Sequence, residues 1–259
     1  MKPLLQLQQL AIGHRGRRQV QPLCRGLCAS LPVGTLTALV GANGAGKSTL
    51  LRTLAGLLPV LEGQVLLDGH SLYIYRPQEL ARQIGIVLTG RIEVPHLRVR
   101  DVVEAGRMPY TGVTGRLSAA DRERVAEAMA LTRTTAFAER TVDSLSDGER
   151  QRVLIAKALA QDTPIILLDE PTAFLDFAAK AELMQLLRRL AHEHRKAILL
   201  STHDLELAFQ TVDRLWLLAH EGLVEGDARQ LMESGQLAEF FAAQGLVFDS
   251  HDGRFRLRG

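Results

Sequence analysis

The segment GANGAGKST, residues 41–49, has the composition and spacing of a backbone loop that binds phosphate. Its glycines let the chain turn closely around an anion, so that backbone N–H groups can point at that anion. Lys47 can hold the outer phosphates as a point charge, and the hydroxyl of Ser48 can ligate magnesium. The candidate phosphate-binding residues are Gly41, Ala42, Asn43, Gly44, Ala45, Gly46, Lys47, Ser48 and Thr49. The alternative is a glycine-rich turn that only begins a helix.

Two carboxylates, Asp169 and Glu170, directly follow the apolar run IILL at 165–168. Asp169 can hold the same magnesium ion as Ser48, commonly through water. Glu170 can accept a proton from a water molecule that attacks the terminal phosphate. The alternative is that the two carboxylates only end a strand and cap a helix.

His203 ends another apolar run, in the tetrapeptide STHD at 201–204. That run should form a strand beside the one that carries Asp169, which would place the imidazole at the same edge of the sheet. There His203 can contact the terminal phosphate. The alternative is a structural or helix-capping histidine, which is the commoner role of a histidine considered without its context.

A second tract, LSDGERQR at 145–152, also has the features of an anion site at the beginning of a helix. Its candidate contact residues are Ser146, Asp147, Gly148 and Glu149. The carboxylates of Asp147 and Glu149 suit a helix N-terminus but repel an incoming phosphate. Arg150 and Arg152 are expected to offset part of that repulsion.

Short apolar runs alternate with helical patterns along most of the chain. The runs at 35–41, 163–170 and 196–203 are continuous rather than alternating, which predicts buried parallel strands covered by helices on both faces. Residues 214–227 predict a hairpin that turns at Glu221–Gly222, and residues 247–258 predict another that turns at Asp252–Gly253.

Between Thr89 and Ser144 the sequence lacks strand patterns and shows helical ones. One of these predicted helices begins with a Ser118–Asp121 capping box. We therefore predict an α/β fold with a mainly parallel P-loop (RecA-like) core sheet, an antiparallel β part and an inserted helical subdomain. The core would span about 1–88 and 145–259, and the helical subdomain about 89–144.

Composition sets broad limits on the class of protein. The chain has 259 residues, 46% hydrophobic and 23% charged, which is enough apolar material for one large domain. A net charge of +2 favours neither nucleic acid nor an acidic ligand. Cys24 and Cys28 are too few for a disulfide framework and are expected to be small packed side chains. No apolar run is long enough to cross a bilayer, so we expect a soluble chain whose membrane role would require a partner.

The motifs GANGAGKST, LSDGERQR, IILLDEPTAFLD and STHD, in this order, resemble the nucleotide-binding subunit of an ATP-binding cassette (ABC) transporter. The resemblance covers essentially the whole chain, which would then be a single nucleotide-binding domain, 1–259. It implies an ATPase that uses ATP and magnesium, with Glu170 and His203 as catalytic residues and Ser48 and Asp169 at the metal. It also implies a head-to-tail dimer, in which the LSDGERQR tract of one copy meets the ATP of the other. Asp176 stands in the D-loop, which would run along that interface.

Five positions depart from the family pattern. In the LSDGERQR tract, Asp147 stands where the family usually has glycine and Glu149 where it has glutamine. Thr89 stands where the family normally places a glutamine that contacts magnesium and the attacking water, and Gln83 lies before the strand and should not reach. His14 stands where a tyrosine usually stacks on adenine, and a plain loop histidine is the alternative. Phe174 in the D-loop is larger than the usual small residue.

The segment GRMPYTGVTGRLSAADRERV, 106–125, is similar to that of cassettes in iron–siderophore, haem and cobalamin importers. The resemblance implies membrane permease subunits and, indirectly, a substrate-binding protein as partners, with the cassette at the cytoplasmic face of the bacterial inner membrane. The favoured cargo is a ferric siderophore, then haem. Alternatives are the cassette of a two-component exporter, an ABC ATPase that acts on DNA or the ribosome, and a P-loop kinase. A kinase would not need LSDGERQR, and the near-neutral charge counts against nucleic acid.

Overall fold

The computed structural model describes residues 3–15, 20–89, 96–112, 115–242, 246–249 and 254–257. The strands are β1 (Pro3–Arg15), β2 (Val20–Pro32), β3 (Leu36–Val40), β4 (Glu62–Leu67), β5 (His70–Ser71), β6 (Ile84–Val87), β7 (Ile165–Leu168), β8 (Ala197–Ser201), β9 (Arg214–Ala219), β10 (Gly222–Asp227), β11 (Leu246–Asp249) and β12 (Arg254–Leu257). The α-helices are α1 (Lys47–Leu54), α2 (Pro77–Leu80), α3 (Val99–Glu104), α4 (Ala119–Leu131), α5 (Asp147–Ala160), α6 (Phe177–His192), α7 (Leu205–Thr211), α8 (Ala228–Glu233) and α9 (Gln236–Ala242).

Within the described ranges, the core sheet has six strands in the order β10-β9-β3-β8-β7-β6. β3 pairs in parallel with β8 and β9, and β7 pairs in parallel with β6 and β8. All residues of β3, β7 and β8 are buried, as expected for parallel strands enclosed on both faces. The predicted mainly parallel sheet is confirmed, with β10 as an antiparallel edge strand.

The antiparallel β part is a second sheet in the order β2-β1-β4-β5. A hydrophobic cluster joins it to the core sheet and includes Leu5 of β1, Leu39 of β3 and Leu50 of α1. A second cluster contains residues of the core sheet and of α6, such as Leu200 and Leu187. α1 is therefore held between the two sheets, which fixes the position of the loop before it.

The helical segment between β6 and β7 has its own hydrophobic cluster, which includes Val103 of α3, Val125 of α4 and Val153 of α5. The predicted capping box opens α4, because the N–H of Asp121 donates to Ser118 Oγ at 3.1 Å and the N–H of Ser118 donates to Asp121 Oδ2 at 2.9 Å. α5 also packs on β6, so one helix links this segment to the core sheet. The boundaries at 89 and 144 stay predictions.

Arg107 and Asp121 form a buried ion pair in the same segment, with 2.9 Å between Nε and Oδ1. Arg107 also donates from Nη1 to the carbonyl of Ala160 at the end of α5, at 2.7 Å. Its guanidinium carbon lies 3.9 Å from the ring centroid of Tyr110, a cation–π arrangement. These contacts fasten the chain between α3 and α4 onto α5.

Two details of the sequence prediction need correction. The β9–β10 hairpin turns at His220–Glu221, one residue earlier than predicted. Cys24 is buried as expected, whereas Cys28 is exposed, because it lies between the buried residues Leu27 and Ala29 and therefore faces the other side of β2. β11 and β12 pair as predicted, but the predicted turn at Asp252–Gly253 lies outside the described residues.

Candidate functional site

The loop from Gly41 to Gly46 connects β3 to α1 at the carboxyl edge of the core sheet. Gly44 and Gly46 have φ angles of 80° and 100°, in the left-handed region that glycine adopts without strain. A Cβ atom at Gly41 would lie 2.5 Å from the carbonyl oxygen of Leu218, so this close approach requires glycine. No side chain caps the beginning of α1. The first N–H groups of the helix are therefore left for a bound anion.

Lys47 is buried, and its ammonium lies over the loop. Nζ donates to the carbonyl oxygens of Gly41 and Ala42, at 2.8 and 3.0 Å. Burial lowers the pKa of Lys47, while the nearby charges of Glu170 and Asp169 act in the opposite direction. An ammonium has three N–H donors, and these carbonyls use two of them. The third N–H can donate a hydrogen bond to a phosphate oxygen.

Asp169 is buried directly after β7 and accepts hydrogen bonds from three hydroxyl groups. Ser48 donates to Oδ1 at 3.0 Å, Ser201 donates to Oδ1 at 2.8 Å, and Thr89 donates to Oδ2 at 3.1 Å. The two residues predicted at the metal, Ser48 and Asp169, are thus in contact. Ser201 was missed by sequence reasoning, although it ends β8 one strand away and is the first residue of STHD.

Thr89 lies two residues beyond β6, at the same edge of the sheet as Asp169. Its hydroxyl bonds to the carboxylate itself, so this short side chain reaches the site of the predicted metal. Gln83 precedes β6, and its carbonyl oxygen accepts from the N–H of Ile165 at the beginning of β7. It is therefore at the opposite edge, as the sequence predicted.

Glu170 and His203 lie side by side, because β7 and β8 are neighbouring parallel strands. His203 Nε2 is 2.8 Å from Glu170 Oε1. Glu170 has a φ of 48°, uncommon for a residue with a side chain. Its N–H donates to Ser201 Oγ at 2.9 Å, which holds the backbone in that conformation. Both side chains line an open hollow of about 470 Å³.

The LSDGERQR tract begins α5 with a reciprocal capping box. The N–H of Glu149 donates to Ser146 Oγ at 3.2 Å, and Glu149 Oε2 accepts from the N–H of Ser146 at 2.9 Å. These bonds, together with Arg140, lower the pKa of Glu149. Arg140 Nη1 donates to Glu149 Oε1 at 3.0 Å, and its Nη2 donates to the carbonyl of Ser144 at 2.7 Å. Arg140 was missed by sequence reasoning because it lies nine residues away in the chain.

Asp147 is paired with Arg150, at 2.6 Å between Oδ1 and Nη1. The expectation that Arg150 offsets this carboxylate therefore matches its position. Arg152 does not share that role, because it pairs with Glu182 of α6. The hollow of about 320 Å³ beside this tract is lined by Ser146, Gly148 and other residues outside the loop at 41–48.

Asp176 caps α6, because its Oδ1 accepts from the N–H of Ala179 at 2.8 Å. It follows Leu175, which lines the hollow beside the LSDGERQR tract. The side chain of His14 lies outside the described residues; the backbone of that residue is part of β1.

The residues around Asp169 fit a magnesium–nucleotide complex. Carboxylate and hydroxyl oxygens are the ligands that magnesium prefers, commonly with water and phosphate oxygens completing the shell. The uncapped helix N-terminus and the buried ammonium of Lys47 supply the positive potential that a polyphosphate requires.

The core sheet, its phosphate loop and the Glu170–His203 pair define a P-loop ATPase that binds ATP with magnesium. The ABC transporter family model matches residues 24–173, more than half of the chain. The chain belongs to the ABC transporter family, as an ATP-hydrolysing subunit.

One similar protein is the iron(3+)-hydroxamate import ATP-binding protein of Bacillus subtilis, 38% identical over 92% of this chain and 87% of its own. A solved inward-facing metal-chelate type ABC transporter has a TM-score of 0.79 and 27% identity, and the match covers 93% of this chain and 90% of that one. A dimeric cassette solved in a post-hydrolysis state with ADP and Pi has a TM-score of 0.73 and 28% identity, over 86% and 98%.

Proposed function

We propose that this ATPase powers the import of a ferric siderophore, or secondarily haem, across the bacterial inner membrane. The observation that supports an active ATPase is the set of three hydroxyls around Asp169, next to a buried lysine and a Glu–His pair. The cargo is supported by the similar proteins, one named for iron(3+)-hydroxamate import and one for a metal chelate.

In the proposed reaction, the loop at 41–49 and Lys47 bind the phosphates of ATP, while Ser48 and Asp169 hold magnesium. Magnesium neutralises charge on the β- and γ-phosphates when it is bound. Glu170 accepts the proton of the attacking water, and His203 orients Glu170 and contacts the γ-phosphate. Thr89 holds Asp169 in position from the strand that leads towards the helical subdomain, 89–144.

The Ser146–Glu149 tract completes the site of a second copy of the chain. Its hollow contains none of the residues of the phosphate loop, which supports a nucleotide held by another copy of the chain. The N–H groups at this helix N-terminus would bind the γ-phosphate held by the other copy. Two copies would thereby enclose two ATP molecules. Hydrolysis of that ATP would let the two copies separate.

An apolar cleft of about 790 Å³ is the proposed docking site for a permease subunit. It lies between α5 and the end of β6 and is lined by Leu57, Tyr73 and Leu88. Leu57 and Tyr73 are 57% and 65% exposed and both line the cleft, so together they form an exposed apolar patch of the kind that marks an interaction site. Leu88 precedes Thr89, so a permease segment in this cleft would lie next to the ATP site.

Among the described residues, no helix has the length and apolar character needed to span a bilayer. The proposed location is the cytoplasmic face of the inner membrane, where the permease subunits would hold the cassette. A substrate-binding protein would act through those subunits and not through this chain.

The test is uptake of radiolabelled ferric siderophore by a strain that lacks this subunit. Wild-type protein should restore uptake and growth on ferric hydroxamate as the iron source, whereas Lys47→Ala should restore neither. Affinity capture of the subunit from membranes should recover a permease. ATPase activity without uptake of the ferric siderophore would contradict that cargo. Uptake of haem alone would identify haem as the cargo.

A further inference from the structure

Ser201 is the last residue of β8 and is completely buried, with 0% of its surface exposed. Its hydroxyl donates to Asp169 Oδ1 at 2.8 Å and accepts from the backbone N–H of Glu170 at 2.9 Å. An ionised carboxylate can only accept a hydrogen bond, and a backbone N–H can only donate one. A group that both donates and accepts is therefore required between them, and the buried hydroxyl of Ser201 meets that requirement.

The backbone conformation of Glu170 is stabilised by this contact. Its φ of 48° lies in the left-handed region, which costs a residue with a Cβ atom of order 1–3 kcal/mol. Two hydrogen bonds hold it there, because its N–H donates to Ser201 and its carbonyl accepts from the N–H of Ala173 at 3.1 Å. The backbone angles set the direction in which a side chain leaves the chain. The same bonds therefore help to direct the carboxylate towards His203, at 2.8 Å.

The hydroxyls of Ser201 and Thr89 differ in what they hold. Both donate to Asp169, Ser201 to Oδ1 and Thr89 to Oδ2. Thr89 follows β6 and Ser201 ends β8, so they approach Asp169 from opposite sides of β7. The bond of Ser201 to the N–H of Glu170 is additional to its hold on Asp169. Support of the metal-binding carboxylate therefore does not account for all that Ser201 does.

We propose that Ser201 is a positioning residue for ATP hydrolysis and acts through the backbone of Glu170. By accepting the N–H of Glu170, it keeps the carboxylate in the orientation that can accept the proton of the attacking water. The inference rests on the proposed function, in which Glu170 is the base. Because the same hydroxyl donates to Asp169, the magnesium-binding carboxylate and the base are held in a fixed relation to each other.

The experiment measures ATP hydrolysis by the full chain at saturating magnesium. Ser201→Ala should lower kcat about 10- to 100-fold, since a small misplacement of a reacting group costs up to about 10²-fold in rate. The KM for ATP should change far less, because the bonds of Ser201 are to Asp169 and Glu170 and not to the phosphate loop. Thr89→Val removes a hydroxyl from the same carboxylate, and its kcat at saturating magnesium should fall less. Ser234→Ala, at the end of α8, should keep the wild-type kcat.

A second arm tests whether Ser201 acts through Glu170. In the Glu170→Gln background, Ser201→Ala should cause little further loss of the residual rate, measured in single-turnover reactions with radiolabelled ATP. A purely structural role, or one confined to the metal, would produce the same loss in both backgrounds. Ser201→Cys keeps a weaker donor and acceptor at the same position. Its kcat should lie between those of wild type and Ser201→Ala, which keeps the test valid if Ser201→Ala is unstable in thermal denaturation.

The outcomes separate this inference from the proposed function. An equal fall in kcat for Ser201→Ala and Thr89→Val, or a full further loss in the Glu170→Gln background, would overturn the positioning role of Ser201 while Glu170 remains the base. Wild-type turnover by Glu170→Gln itself would reject both the assigned base and the inference that depends on it.

Discussion

His203 Nε2 lies 2.8 Å from Glu170 Oε1, at the ends of two neighbouring parallel strands. The contact orients a carboxylate whose own backbone is anchored to Ser201. The same Ser201 hydroxyl donates a hydrogen bond to Asp169, the residue before Glu170. One serine therefore connects the proposed metal-binding carboxylate to the proposed base.

Glu170→Gln should abolish ATP turnover but leave ATP binding intact. The amide keeps the shape and one oxygen of the side chain but cannot accept the proton of the attacking water. Loss of a general base costs about 10²- to 10⁴-fold in rate, which phosphate-release assays measure. Glu193→Gln, at an exposed position at the end of α6, is the control. Normal hydrolysis by Glu170→Gln would show that another group is the base.

Thr89→Val should raise the magnesium concentration required for half-maximal ATPase activity by about 10-fold. Valine has the shape of threonine without the hydroxyl, so Asp169 loses one of its three hydrogen bonds, and a bond to a charged group contributes about 1.5–3 kcal/mol. Thr89→Ser keeps the hydroxyl, so its ATPase activity should require the same magnesium concentration as that of the wild type. The rise in melting temperature that ATP causes, measured at increasing magnesium concentration, reports magnesium binding without depending on turnover.

Thr89→Gln tests whether the site accepts the family's usual residue. A fall in ATPase activity would mean that the geometry around Asp169 is built for the short hydroxyl. Wild-type activity would contradict a specific role for threonine at this position.

Most of the fold followed from the sequence because its signals are local. Continuous apolar runs gave β3, β7 and β8, and the Ser118–Asp121 box marked the beginning of α4. The phosphate loop was predicted from glycine spacing, which the left-handed angles at Gly44 and Gly46 explain.

The partners of the site residues could not be read in the same way. Ser201 reaches Asp169 only because β8 lies beside β7, and Arg140 reaches Glu149 only because the chain before α5 folds back on it. Arg152 was expected to offset part of the repulsion within the tract but pairs with Glu182, since the sequence does not show that this residue of α6 lies within its reach. Contacts between distant segments depend on packing, which local patterns do not encode.

Arg150→Ala should weaken ATP-driven dimerisation in the Glu170→Gln background by about 10-fold. Without its 2.6 Å partner, the carboxylate of Asp147 would face an incoming γ-phosphate uncompensated. Removing the carboxylate as well, in Arg150→Ala with Asp147→Gly, should restore the dimer, and measuring Asp147→Gly alone completes the double-mutant cycle that isolates the pair from the bond of Arg150 to the Leu145 carbonyl. Arg124→Ala is the matched control, because Arg124 forms an i,i+3 pair with Glu127 on an exposed surface. Equal loss in the single and double variants would contradict neutralisation.

Asp121→Asn should destabilise the protein in a pH-dependent manner. Hydrogen bonds from Ser118, then the guanidinium of Arg107, lower the pKa of Asp121 from 3.8 to about 2. Because the folded-state pKa is depressed, the stabilisation is fully present above pH 3.8 and is lost as the pH falls through about 2. The shift corresponds to about 2 kcal/mol, and a buried arginine without its partner adds to the cost.

Chemical denaturation of wild type and Asp121→Asn should therefore show a gap in unfolding free energy at pH 5 that narrows towards pH 2. Glu127→Gln, at an exposed position on the same helix, should show little gap at either pH. A gap that stays constant from pH 5 to pH 2 would mean that the charge of Asp121 does not stabilise the fold. Because Arg107 fastens the preceding segment to α5, loss of the pair should also increase amide hydrogen exchange in residues 105–110, where the 3₁₀ turn ends at Tyr110.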